Sequence, residues 1–278
     1  MKKHLFRNIM FLAGFILCVY PMFAAFLNDI RQRDVVGTYE SVIKEKEDQF
    51  KSEKMKAEKY NKVLYENKDR IIFNEDDNIL YGKNYDDILD ITGTGIMGSI
   101  EIPDINVKLP IYHGTKDESL SSGAGHMEGT SFPVGGINNH CVITGHRGLP
   151  GASLFLRLDE LKKDDVFFID SGNEKLFYRI IDISVIEPDD MDLLKIEEGK
   201  DLVSLVTCTP YGVNTHRLVV TGERTVNLEE QEENVCREHK KPSLRRVTML
   251  VIPFMIFLTG IIIFLSERRG RGKNKKNI

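Results

Sequence analysis

Two short stretches of this chain carry residues whose types suit acyl transfer. In LVSLVTCTPYGVNTHRLVVTGER, residues 202–224, Cys208 stands where one apolar, β-branched run ends and Arg217 where the next begins. In VITGHRGLPGASLF, residues 142–155, His146 follows another such run inside a glycine-flanked loop. A thiol attacks carbonyl carbon as its thiolate, and positive neighbours favour that form. An imidazole can protonate a leaving amine, and a guanidinium can hydrogen-bond the oxygen on which charge develops. Nucleophile, acid/base and stabiliser are then all present, and the chemistry needs neither metal nor cofactor. Taken singly, each residue also has a plainer reading. Cys208 suits a small buried hydrophobe, His146 a structural loop residue, and Arg217 a surface ion pair.

The trio can act together only if strands bring it together. The runs on either side of Pro210 and Gly212 read as strand, turn, strand, which sets Cys208 and Arg217 at facing strand mouths. From Ile96 the chain alternates with period two, through Ile100 and Ile102 and then Ile105, Val107, Leu109 and Ile111. Cys141–Thr144, 166–169 and 175–186 are further strands, while 153–161 reads as helix-like with Leu154, Phe155, Leu158 and Leu161 on one side. The segment 187–196 suggests a turn of helix. Many short strands with turn signals and few helices indicate a mainly β fold, a barrel or a sandwich.

The other cysteines and histidines have humbler readings. Cys141 sits in an apolar run and reads as core, Cys18 lies in an apolar end segment, and Cys236 lies in a polar, acidic stretch. A Cys141–Cys208 disulfide is the rival arrangement and would remove the nucleophile. His140 and His216 neighbour the trio without an assigned task. His113 and His126 lie in a loop-rich region without metal-site spacing.

The two ends of the chain suggest a membrane. Residues 9–27 and 247–265 carry no charge, and each run of 19 residues makes a helix of about 28 Å, close to a hydrocarbon core. Lys2, Lys3 and Arg7 precede the first, and six basic residues between Arg268 and Lys276 follow the second. Positive charge marks the cytoplasmic side, so both termini are expected inside and the middle of the chain outside, with Arg245 and Arg246 a weaker signal to the contrary. A cleaved signal peptide is the alternative for the first span, but Met22 and Phe23 spoil the small-residue pattern that cleavage wants. Residues 28–246 hold 29 basic and 41 acidic residues, a formal charge of −12, which argues against a nucleic-acid partner. Residues 28–70 suggest a solvated helix with a thin apolar seam of Val42, Ile43, Phe50, Met55, Tyr60, Val63 and Leu64. Residues 71–95 give no clear element.

SLVTCTPYGVNTHRLVVTGER resembles the signature of sortases, Thr-Leu-X-Thr-Cys with an arginine on the next strand, and VITGHRGLPGASLF resembles their histidine segment. GIMGSIEIPDINVKLPIYHGT, GHMEGTSFPVGG and a second apolar span are similar to class C, the pilin-polymerising subgroup. The resemblance implies a closed eight-stranded β-barrel with short helices, preceded by a helical segment and flanked by two transmembrane helices. It implies Cys208 as nucleophile, His146 as general acid/base and Arg217 as oxyanion stabiliser, with no cofactor. The implied substrates are pilins or surface proteins bearing a Leu-Pro-X-Thr-Gly-like sorting signal, cut between Thr and Gly. The implied acceptor is a lysine amine of another pilin on a Gram-positive surface. Attachment to peptidoglycan by a housekeeping sortase, and a non-catalytic adhesion or scaffold module, are the alternatives. The expected division is an inner N-terminus (1–8), a first span (9–27), a helical juxtamembrane segment (28–70), a possible lid region (71–95), the catalytic barrel (96–226), a linker (227–246), a second span (247–265) and a basic inner tail (266–278). Ser204 replaces the signature's first Thr and keeps a hydroxyl. The Asp-Pro-aromatic lid tripeptide of class C does not occur, Asp86, Asp87 and Ile88 standing in roughly its region, so a lid over 71–95 is expected to cover the cleft loosely or not at all.

Overall fold

The computed structural model describes residues 2–68, 85–148, 154–172 and 174–225, together with 251, 254–256 and 258–260. The chain divides into two compact units, one formed by 1–26 with 241–278 and the other by 27–240.

The second unit is a closed barrel. Its strands are β1 (Ile96–Ile102), β2 (Val107–His113), β3 (Ala124–His126), β4 (Asn139–Thr144), β5 (Val166–Ser171), β6 (Glu174–Ile186), β7 (Asp201–Thr209) and β8 (His216–Arg224). Around the wall they run β1-β2-β3-β4-β7-β8-β6-β5, and β5 returns to β1 through Ser99↔Asp170, Ile100↔Ile169 and Glu101↔Phe168. Closure leaves no open sheet edge. The thirteen-residue β6 makes this possible by pairing β5 with its first half and β8 along most of its length. Only β2–β3 and β4–β7 are parallel pairs.

Alternation along the strands splits the apolar residues between two faces. Cys141 and Ile143 of β4, Val203 and Leu205 of β7, and Leu218 and Val220 of β8 point into the main core. Their neighbours Val142, Val206 and Val219 point outward and form a second, smaller cluster with Ile186 and Leu194.

Helix α1 spans Lys2–Glu45, with Tyr39 and Ile43 packed into the barrel's core cluster, and α2 (Glu47–Glu66) follows after a break at Lys46. The buried seam differs from the one expected from sequence. Met55 and Val63 are exposed, while Val36, Tyr39, Ile43, Phe50, Ala57, Asn61 and Leu64 are buried. The break at Lys46 resets the helical phase, which a single unbroken seam could not anticipate. Asn61 accepts from Phe132 N–H at 2.8 Å and donates to Phe132 O at 3.2 Å, fixing α2 to the barrel by a reciprocal buried pair.

Within residues 85–95, in the second half of the possible lid region, Tyr85, Ile88, Leu89 and Ile91 join the core. Leu89 and Ile91 are buried, and the Tyr85 ring stacks on His126 and Phe132. Residues 71–84 lie outside the described residues. Of the helix-like stretch expected over 153–161, the described residues 154–161 form turns and one 3-10 turn, Leu158–Glu160. Leu154, Phe155, Leu158 and Leu161 are nonetheless all buried, so the periodicity was a packing signal without being a helical one. Short α3 (Asp117–Ser122) joins β2 to β3.

In the first unit, α1 holds the one stretch among the described residues that is long and apolar enough to cross a membrane. Its side chains at Ile9, Leu12, Ile16, Leu17, Tyr20 and Phe23 are exposed. Most of the second expected span, and the linker with Cys236, lie outside the described residues; positions 251, 254–256 and 258–260 are helical.

Candidate active site

Cys208 is the penultimate residue of β7, and the antiparallel register sets it directly opposite Arg217 of β8. Residues opposed in this way show their side chains on the same face. That face is the outer one, because Cys208 continues the alternation of Val206 and Arg217 that of Val219. His146 arrives from the other side of β7. The parallel β4–β7 pairing ends at Thr144↔Val206, and one further bond, Gly145 N–H to Val206 O at 3.1 Å, carries the register past the strand end. Two more steps along each chain bring His146 level with Cys208. The structure thus gathers all three sequence-identified residues at one corner of the barrel, above the outer apolar cluster of Val142, Val206 and Val219.

Hydrogen bonds fix this corner on both sides of the His146–Cys208 level. Thr207 Oγ1 donates to Gly145 O at 2.7 Å, and Arg147 Nη1 donates to Thr209 Oγ1 at 2.9 Å. Behind the histidine loop, Phe155 N–H donates to His146 O at 3.2 Å. The Phe155 ring lies against Gly145 so closely that a Cβ there would overlap it. Gly148, with φ +97°, carries the chain under the Tyr211 ring of the β7–β8 loop. The loop sequence Gly-His-Arg-Gly therefore has one reason for each glycine: close packing at the first, a left-handed turn beneath an aromatic at the second.

The polar surroundings of the trio are modest. Arg217 Nη1 donates to Asn214 O at 3.3 Å and His216 O at 3.2 Å, which folds its guanidinium back toward the β7–β8 loop. His146 Nε2 is 4.0 Å from Asp117 Oδ1 on α3, a carboxylate wholly exposed and hence strongly screened. His146 and Cys208 are each partly exposed, as a reaction with a macromolecular substrate requires.

The two histidines left without a task have structural ones. His140 Nδ1 lies 2.8 Å from Lys195 O and so carries the proton, leaving Nε2 to accept from Ser204 Oγ at 2.8 Å. Ser204 Oγ in turn lies 2.8 Å from Thr221 Oγ1. This buried chain pins the β6–β7 loop to β4, β7 and β8, and burial pushes the imidazole below its ordinary range. His216 Nε2 sits 3.3 Å from Glu187 Oε1, at the start of the same loop. Cys141 is a buried free thiol, raised by burial, and Cys208 is free as well. The two lie on opposite faces of the β4–β7 sheet, which rules out the disulfide. Among the described residues no group of three or more His, Cys, Asp or Glu could hold a metal ion.

Thr207 and Arg147 stand inside the two motifs quoted from sequence, but their tasks are not legible there, and Asp159 carries no signal. Thr207 and Arg147 each bond a residue 62 positions away, a meeting that no local spacing reports.

Comparison with known proteins points to one family. The family model described as "Sortase domain" matches residues 100–225. Sortase A of Streptococcus agalactiae serotype III is 32% identical over 151 residues, 52% of this chain and 60% of that protein. The chain thus spans under two thirds of this curated relative's length. Among solved structures, sortase C-1 from Actinomyces oris is 44% identical with a TM-score of 0.58, covering 64% of this chain and 99% of that one. Sortase C of Streptococcus pneumoniae, whose structure was described for its insights into catalysis and pilin substrate specificity, is 34% identical with a TM-score of 0.60 over 69% of this chain and 97% of that one.

Proposed function

The chain belongs to the sortase family, and from that premise we propose that it is a membrane-anchored cysteine transpeptidase of the pilin-polymerising type. The Cys208 sulfur attacks the threonine carbonyl of a Leu-Pro-X-Thr-Gly-like sorting signal. The Thr–Gly C–N bond breaks, a thioester to Cys208 forms, and His146 delivers a proton to the departing glycine amine. Arg217 hydrogen-bonds the oxyanion of the tetrahedral intermediate. A lysine amine of a second pilin then attacks the thioester, forming an isopeptide bond and restoring the thiol. The atoms balance without a cofactor.

The observation that carries this reading is the alignment of three chain segments at one corner. Cys208 opposes Arg217 in register, and His146 is held level with Cys208 by the bonds of its two neighbours to Thr207 and Thr209. The pilin reading draws its support from the class C neighbours, one of them described for pilin substrate specificity. Replacing Cys208 by Ala should abolish the thioacyl adduct with a sorting-signal peptide, read by mass spectrometry, and an undiminished adduct would sink the proposal. Iodoacetamide should modify Cys208 before the other three cysteines, whereas a merely structural thiol would resist it. Offering a pilin lysine and a wall-peptide amine in competition separates pilus assembly from peptidoglycan attachment. Product on the wall amine alone would favour the second.

The domain division expected from sequence belongs to the same proposal, including two spans with both termini inside. Its support is the length and apolarity of α1, together with the Phe11 ring lying against Gly260. Close approach of a helix at a small residue is a common mode of packing in membranes.

A further inference from the structure

Arg147 follows His146 directly, yet its side chain is only 5% exposed. Nη1 donates to Thr209 Oγ1 at 2.9 Å, Nη2 lies 2.5 Å from Asp159 Oδ2, and Nε is buried without a hydrogen-bond partner. Withdrawing a guanidinium from water costs more than one ion pair usually returns, so stability is a poor account of this residue. Geometry is a better one. The β4–β7 ladder ends with the bond from Gly145 N–H, and beyond it the sheet no longer fixes the chain that carries His146. Thr207 secures the position before the histidine, at Gly145 O. Arg147 secures the position after it by binding the residue that follows Cys208. A planar guanidinium can present separate edges to two acceptors at once, here Thr209 and Asp159, and a lysine ammonium does not reproduce that fork.

We propose that Arg147 is a positioning residue for the transfer reaction: clamped by Asp159, it ties the histidine loop to Thr209 and holds the imidazole abreast of the Cys208 sulfur. The inference rests on the transpeptidase reading. Arg147 handles neither the peptide nor the transferred proton and acts only through where it holds His146. A displacement of about 1 Å at a reacting group can cost on the order of 10²-fold in rate.

The test uses the full chain in detergent and single-turnover formation of the thioacyl adduct with a sorting-signal peptide, normalised to titratable Cys208. Arg147→Ala should lower the limiting rate by about 10- to 100-fold and leave the half-saturating peptide concentration within about twofold. Arg147→Lys and Asp159→Asn should fall between it and the parent. A folded Arg147→Ala protein with an unchanged limiting rate per active thiol would overturn the proposal, as would a change confined to half-saturation. Should Arg147→Ala lose cooperative melting, Asp159→Asn decides by the same measure, and a parental rate in that variant overturns the proposal. Cys208→Ala separates the two levels. An adduct that survives it refutes the transpeptidase reading itself, whereas Cys208-dependent acylation indifferent to Arg147 refutes only the positioning role.

Discussion

Arg217 and Gly148 show how single residues at this corner are used. Arg217 stands directly across from Cys208, and in the proposed reaction it supplies the oxyanion donor. Arg217→Ala should therefore lower the acylation rate by about 10²- to 10³-fold, the usual cost of one such donor, in the same single-turnover assay. Arg217→Lys keeps charge but not planar geometry and should recover only part of that loss. Gly148 combines φ +97° with a Tyr211 ring where a Cβ would stand. Gly148→Ala should be destabilising by about 1–3 kcal/mol, read from the melting transition, because the ring must move and the backbone is strained for an L residue. All three residues of the proposed trio were legible from local signals, a strand mouth or a glycine-flanked loop. Arg147 was not, because its meaning lies in contacts with Thr209 and Asp159, 62 and 12 positions away in sequence.

α2 is tied to the barrel by the reciprocal Asn61–Phe132 pair and by the Phe50 ring, which rests on Gly172 in the β5–β6 turn. Removing Asn61 leaves the buried Phe132 N–H without a partner, while Phe132 O keeps the Val134 N–H at 2.8 Å, so Asn61→Ala should cost about 1–3 kcal/mol in chemical denaturation. α1 packs over a polar cavity of about 230 Å³ lined by Glu40, Lys44, Ser99, Glu101, Lys108, Phe168, Asp170, Gly172 and Lys175. Burial and the nearby Glu40 raise the Asp170 carboxyl to about 6, against the opposing pull of Lys175, Lys108 and Lys44. The folded chain thus binds this proton more tightly than the unfolded one. The associated stability is present below the ordinary carboxylate value and lost as pH rises through about 6. Asp170→Asn should therefore melt higher than the parent at pH 7.5, with the gain shrinking toward pH 4. An equal shift at both values would refute this assignment.

Acid should weaken the barrel as a whole through His126. Its ring is fully buried among Tyr85, Phe132 and Thr130; Nε2 faces Ser131 O at 2.9 Å, so Nδ1 accepts from Tyr85 Oη at 2.8 Å. Burial lowers it from the ordinary 6.5 to about 3, so the unfolded chain takes up a proton that the folded one refuses. Stability is full above pH 6.5 and falls as pH drops through that value toward 3, by up to about 1.4 kcal/mol per pH unit. His140 adds to this fall, and Asp170 partly offsets it. His126→Gln should flatten the decline measured by denaturant titration between pH 7 and pH 4, even though it lowers stability at pH 7.

The strand mouths that hold Cys208 and Arg217, the loop that holds His146 and the apolar first span follow from local patterning, because alternation, turn residues and hydropathy are written within a few neighbouring positions. The same patterning made Cys141 a core residue, from the apolar run around it. Folding set the rest: 154–161 is turn rather than helix, Met55 and Val63 face out while Asn61 faces in, and Tyr85, Ile88, Leu89 and Ile91 pack in the core. It alone set β4 alongside β7, which brings His146 level with Cys208. Parallel pairing joins segments separated by a long crossover, and its partner is chosen by closing the barrel and burying both faces of the sheet, a choice that no local pattern contains.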